Sequence, residues 1–290
     1  MLHNVVKKIS NTVEQYTLYY QPIMDLKTNT IVAVEALLQW QHPYYGVYPG
    51  RDMVSKLDSD LMIDAITTWT LQTACDQIYR LKEHQQIKYI AINITEKQFF
   101  NWPLVAKISD ALAQYRLDSS KLCVEIRLDV LKSNPKEAAA ILKGLRKLGV
   151  LIYLDCINKL PTEREIKDFH IDGIKFHNYF SQYCLTHPKV CKLGHQKFSK
   201  KLGRVVLVDL DDAANPDSYL QAGFHFVQSS GICAPVDIST LKSLLHSKKN
   251  NHSAVKKLKS AAKTKAIAKG KASALPKKKA SIKKAKKSKY

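Results

Sequence analysis

Val34-Glu35-Ala36-Leu37-Leu38-Gln39-Trp40 closes an apolar run that opens at Ile31, with Lys27-Thr28-Asn29 before it and His42-Pro43 after it. The short length and the β-branched residues Ile31, Val32 and Val34 predict a buried strand from Ile31 to Trp40. Glu35 stands in its middle. A carboxylate among buried apolar side chains is costly unless a cation meets it. Two partners suit it, a buried Lys or Arg or a metal ion, and the strand alone does not choose. Further carboxyl and amide residues on later apolar stretches weigh toward a shared site.

Outward from this strand, the pattern repeats. Tyr16 to Ile23 reads as a strand, followed by Asp25-Leu26-Lys27-Thr28-Asn29. A link as short as Met24 to Thr30 cannot make a parallel crossover, so it predicts a hairpin. Tyr44 to Gly50 reads as a turn-rich loop. Leu61, Ala65, Ile66, Trp69, Leu71, Ala74, Ile78 and Leu81 recur at helical spacing and predict an amphipathic helix over Asp60 to His84. Strands are then expected at Lys88–Ile94, Lys121–Leu128, Val150–Leu154, Ile171–Phe176, Val205–Asp209 and Phe224–Gln228. Helices are expected at Glu96–Tyr115, Pro135–Leu148, Thr162–Phe169, Tyr179–Lys201, Asp212–Ala222 and Ile238–His246. Strands alternating with helices predict a closed, mostly parallel α/β sheet, a (β/α)8 barrel of the TIM type.

Charge divides the chain differently. From Lys248 to Tyr290 there are 17 lysines and no acid, whereas the rest carries 29 Lys and Arg against 25 acids. The basic character therefore belongs to residues 248–290, a segment with no means of forming a core and expected to be disordered when free. Its composition is similar to histone-like tails and suits a nucleic-acid backbone bound by counterion release. An acidic protein, an anionic membrane or a solubility role are the alternatives. Met1 to Gln15 reads as a lead-in, and 16–247 as the barrel domain. Without a long apolar segment near Met1 or elsewhere, no membrane span is expected and the protein is expected to be cytoplasmic. The six cysteines are scattered, and read as reduced thiols. Cys184, His187, Cys191 and His195 have pairwise spacings that a zinc ion could share, but Pro188 interrupts the helix between them. A core-facing Cys with exposed His is the plainer reading.

Tyr20-Gln21-Pro22-Ile23 and Val34-Glu35-Ala36-Leu37-Leu38 resemble the start of EAL domains, the bacterial phosphodiesterases that open cyclic di-GMP. The resemblance continues through Ile92-Asn93-Ile94-Thr95, Val124-Glu125-Ile126, Leu154-Asp155, Ile174-Lys175-Phe176 and Val227-Gln228. It implies a modified barrel with one antiparallel strand, in line with the hairpin, and it allows an EAL-type homodimer. It implies that Glu35, Asn93, Glu125 and Asp155 are ligands of one Mg²⁺ or Mn²⁺. Lys175 matches a lysine that orients the attacking water, and Gln228 a glutamine that supports the site. Asp209 falls where the family has Glu. Oxygen donors of this kind suit hard divalent cations.

The chain departs from the family at the second metal. Asp-Asp-Phe-Gly reads here Asp155-Cys156-Ile157-Asn158, so a thiol stands where the second-metal carboxylate is expected. The substrate loop reads Asn158-Lys159-Leu160-Pro161. Gln39 replaces the arginine that follows Glu-Ala-Leu-Leu, and a neutral amide cannot make arginine's bidentate contact with phosphate. Leu128 replaces the second acid of Glu-x-Thr-Glu. The expectation is a degenerate, catalytically impaired regulatory domain acting through a protein partner or weakened cyclic di-GMP binding. A slow phosphodiesterase and a nucleic-acid-associated protein with the barrel as scaffold are the alternatives.

Overall fold

The computed structural model describes residues 16–42, 46–49, 60–81, 83–159, 161–177, 204–208, 216–221 and 223–246, with isolated positions between 179 and 189. The lead-in, the lysine-rich segment, Asp209 and the cysteines 184 and 191 lie outside them, as does His195.

Strand β1 (Tyr16–Asp25) and β2 (Thr30–His42) form an antiparallel hairpin, with Gln21 opposite Glu35 and Asp25 opposite Thr30. Asn29 takes the left-handed φ of 53° that closes the turn, a conformation Asn tolerates better than most residues. The backbone N–H of Lys27 donates to the Asp25 carboxylate at 2.9 Å. From β2 the sheet runs parallel through β4 (Tyr89–Asn93), β5 (Leu122–Arg127), β6 (Leu151–Ile157), β7 (Gly173–Phe176), β8 (Arg204–Val208) and β9 (Phe226–Gln228). It closes where Met24 and Asp25 of β1 pair antiparallel with Val227 and Phe226. Eight strands thus make the barrel, β1 being the antiparallel one. The ninth, β3 (Gly46–Pro49), pairs with the end of β2 where the sequence reads as a loop. Turn-forming residues there conceal a short edge ladder.

Among the described residues the helices are α1 (Asp60–Arg80), α2 (Glu96–Asn101), α3 (Leu104–Gln114), α4 (Leu128–Ser133), α5 (Pro135–Leu148), α6 (Glu163–Ile166), α7 (Pro216–Gln221) and α8 (Ile238–His246). The helix expected over Glu96–Tyr115 is two, because Pro103 has no N–H to continue the first. Thr95 and Gln98 form a capping box that starts α2. Asn134 caps α5, Pro135 occupies its first turn, and Gly149 ends it at φ 87°. The helix α1 buries Ile63, Ile66, Leu71, Ala74 and Ile78, while Leu61, expected on that face, is 63% exposed. No described helix is long and apolar enough to cross a membrane.

Two apolar layers follow from the alternation of the strands. Outward residues such as Val34, Ile90, Ile92, Val124, Ile126, Ile152 and Ile174 join the helices in one large cluster. Inward residues Ile23, Ala33, Tyr89, Ala91, Cys123, Tyr153 and Val206 fill the lower barrel. The Tyr153 ring takes the space beside Gly173, where a Cβ would lie 2.5 Å from Cζ. This plug is what carries the next inward layer, which is polar, toward the C-terminal rim.

Candidate functional site

One step along each strand from the plug, the inward positions are Glu35 (β2), Asn93 (β4), Glu125 (β5), Asp155 (β6), Lys175 (β7) and Gln228 (β9). The ladders stagger them around the barrel: Asn93 is the Cα partner of Glu125, while Glu35 pairs with Ala91 and Asp155 with Arg127. Glu35, Glu125, Asp155, Lys175 and Gln228 are all buried. The ammonium of Lys175 donates to Glu35 Oε2 at 2.6 Å and to Glu125 Oε2 at 2.7 Å. Gln228 Nε2 donates to the same Glu35 oxygen at 2.6 Å and to Gln21 Oε1 at 3.1 Å. Asn93 Nδ2 donates to the other oxygen, Oε1. Glu35 is therefore satisfied by three side chains from three other strands.

Surplus negative charge marks the cluster. Burial opposes a charge on Lys175, but the Glu125, Glu35 and Asp155 carboxylates outweigh it and hold the ammonium well above the usual lysine range. Burial, and then the Glu35 charge, push Glu125 well above the usual carboxylate range against the pull of Lys175. Glu125 Oε1 and Gln228 Oε1 are buried and accept no hydrogen bond among the described residues. An unpartnered carboxylate oxygen in an over-anionic site fits a hard divalent cation, and the donor set of three carboxylates and one amide suits Mg²⁺ or Mn²⁺. Among the described residues no three His, Cys, Asp or Glu side chains already converge on one point as metal ligands. The Lys175 ammonium lies between Glu35 and Glu125 instead.

Asp155 ends the regular part of β6. The register of β6 with β7 slips between Leu154 and Ile157, and Cys156 in that bulge has φ 57°. Its thiol donates to Asp155 Oδ2 at 3.2 Å. A cleft of about 280 Å³ opens over the cluster, and Gln39, Asp155, Cys156, Lys175 and His177 are among its walls. The sequence-predicted set Glu35, Asn93, Glu125, Lys175 and Gln228 thus meets in one hydrogen-bonded group. Asp155 and Cys156 border the same cleft, with Gln39 at its edge. Gln21 is a member the sequence reading did not assign, although a polar side chain at an inward position beside Glu35 is the signal that finds it.

These features define a barrel protein with a carboxylate, amide and lysine cluster at the C-terminal ends of its strands, where barrels of this type place their sites. The chain belongs to the EAL domain family, whose model matches residues 7–191. Strands β8 and β9 lie beyond that match and complete the barrel. The signaling protein YkoW of Bacillus subtilis is 25% identical over 231 residues, 77% of this chain and 28% of that protein. Cyclic di-GMP phosphodiesterase NbdA of Pseudomonas aeruginosa is 30% identical over 144 residues, 49% of this chain and 18% of that protein. The chain thus spans well under half the length of both. Among solved structures, the PaMucR phosphodiesterase in complex with c-di-GMP has a TM-score of 0.71 at 22% identity, covering 83% of this chain and 98% of that one. The FimX EAL domain from Pseudomonas aeruginosa bound to c-di-GMP has a TM-score of 0.67 at 17% identity, covering 80% and 96%. Likenesses at these identities establish the fold.

Proposed function

We propose that this chain is a cyclic di-GMP-binding EAL domain impaired in hydrolysis, and that it acts as a regulatory protein. The observation that carries the reading is the contrast within one cleft. The Glu35, Asn93, Glu125, Lys175 and Gln228 cluster is whole, while position 156 offers a thiol bonded to Asp155. Glu35, Asn93, Glu125 and Asp155 would hold one Mg²⁺ or Mn²⁺. When bound, such a cation polarises a phosphoryl oxygen and lowers the pKa of water. Lys175 positions the Glu35 and Glu125 carboxylates and lines the cleft, where it would orient a water. Gln228 and Asn93 fix Glu35 in one rotamer. Gln39 can hydrogen-bond a phosphate but brings no charge. A thiol supplies no hard oxygen donor, so the second cation of a two-metal displacement loses a ligand at Cys156. Asp209, outside the described residues, is proposed as a further carboxylate of the site.

The intact first cluster also favours a second reading, a slow cyclic di-GMP phosphodiesterase. Residues 248–290 are proposed to bind nucleic acid through their lysines, with a protein partner left as the other route of action and a cytoplasmic setting for both. The test is calorimetric titration of the full chain with cyclic di-GMP, with and without Mg²⁺. Saturable binding that strengthens with the cation is expected. No binding in either condition refutes the reading.

A further inference from the structure

A cation at the mouth of the barrel is unused by that reading. Along β5 the inward positions are Cys123, Glu125 and Arg127, with Val124 and Ile126 turned out into the helix layer. Arg127 therefore stands one step above Glu125 toward the rim. Its Cα partner on β6 is Asp155. The side chain is 56% exposed, and its guanidinium forks onto Asp129, with Nε to Oδ1 at 2.9 Å and Nη2 to Oδ2 at 2.5 Å. It lines two adjoining cavities of about 370 and 320 Å³, and Asp155 borders both. The second is also lined by Cys156, Lys132 and Lys159.

The fold does not need this arrangement. An exposed ion pair between residues two apart adds little to stability, and α4 starts at Leu128 without a side-chain cap from Arg127. What the arrangement provides is a planar, permanently charged fork held in one place beside Asp155. Lys132, tied to Glu165 at 2.5 Å, and Lys159 add positive potential around it. Position 156 brings a thiol and no acid, and the Arg127 guanidinium lines the same cavity as that thiol. A guanidinium neutralises a phosphate oxygen and fits it bidentately, but it does not activate water as a metal does.

We propose that Arg127, held by Asp129 at the level of Asp155 and Cys156, is a phosphate-binding residue that takes a non-bridging oxygen of the nucleotide seated over Glu35 and Lys175. The inference rests on the nucleotide-binding reading above and gives that reading its anion contact, in place of the arginine missing at Gln39.

The experiment is calorimetric titration of full-length wild type, Arg127→Thr, Arg127→Lys and Asp129→Asn with cyclic di-GMP over a salt series. Residues 248–290 are common to all four and cancel from the comparison. Arg127→Thr should weaken binding about tenfold or more, the scale of one charge-assisted contact, and flatten its salt dependence. Arg127→Lys should recover part of the loss, keeping charge without the fork. Asp129→Asn should give an intermediate loss by releasing the guanidinium. Melting temperatures should stay at the wild-type value. Wild-type binding with Arg127→Thr and Arg127→Lys both unchanged in affinity and salt slope overturns the inference and leaves the nucleotide reading standing. No binding by wild type removes both.

Discussion

Replacing Lys175 by methionine takes away the ammonium that Glu35 and Glu125 share. The two contacts are 2.6 and 2.7 Å, and the three side chains are 1%, 7% and 0% exposed. Methionine keeps most of the volume, so the loss is electrostatic. Breaking a buried pair by removing one partner costs about 3–5 kcal/mol. For a domain of this size each kcal/mol is worth about 2–4 °C, so the melting temperature should fall by roughly 6–20 °C. The pH dependence has a definite sign. Glu125 has a folded-state pKa raised above its unfolded value near 4.5. Stability linked to such a group is fully present below the unfolded pKa and lost as pH rises through the folded one. Without Lys175 the upward shift grows. The deficit of the variant should therefore be small near pH 4.5 and widen toward pH 7. Glu125→Gln added to Lys175→Met should restore part of the stability at pH 7. The assay is thermal and denaturant unfolding followed by circular dichroism, with a chelator present. A deficit below about 1 kcal/mol at pH 7, the worth of an exposed pair, or one that does not change with pH, would refute the argument.

Gly173→Ala should destabilise the barrel by about 1–3 kcal/mol, the cost of overpacking, and Tyr153→Leu in the same chain should relieve much of it; denaturant melts of the two variants check this. Cys156→Asp with Gln39→Arg should raise affinity for Mn²⁺ and for cyclic di-GMP, since Asp accepts the φ of 57° at position 156 more readily than Cys does. No gain in either titration would mean that the strand-end carboxylates do not converge on a cation. Deleting residues 248–290 should abolish binding to unrelated duplexes in mobility shifts while leaving the circular dichroism of the barrel unchanged. The intact chain's affinity should fall steeply with salt, and salt-insensitive binding by the truncated chain would assign the interaction to the barrel.

The barrel was legible because its strands carry two signals at once. Outward Val, Ile and Leu positions marked the strands, and single polar residues at inward positions, such as Glu35 in Val34-Glu35-Ala36, marked the side chains that meet in the cluster. The antiparallel β1 followed from the length of one turn. What escaped was local. Pro103 splits a helix whose apolar period continues across it, and β3 is an edge ladder written in turn residues. The helix α4 is six residues long, too short for a period to declare itself. Gln21 and Arg127 were missed for another reason. Each becomes part of the site only through the register of a neighbouring strand, Gln21 beside Glu35 and Arg127 beside Asp155. Registers are properties of pairs of strands, and a single run of residues does not carry them. The lead-in, the lysine-rich segment, Asp209, Cys184, Cys191 and His195 lie outside the described residues.

The proposed function pairs a whole Glu35, Asn93, Glu125 and Lys175 cluster with hydrolysis impaired at Cys156. Its most direct test is the turnover of cyclic di-GMP by full-length protein with saturating Mn²⁺, read as linear product by chromatography and compared with Glu35→Ala. Saturable nucleotide binding is expected, with turnover far below the range of about 1–1,000 s⁻¹ in which ordinary enzymes work. Turnover within that range, abolished by Glu35→Ala, would contradict it.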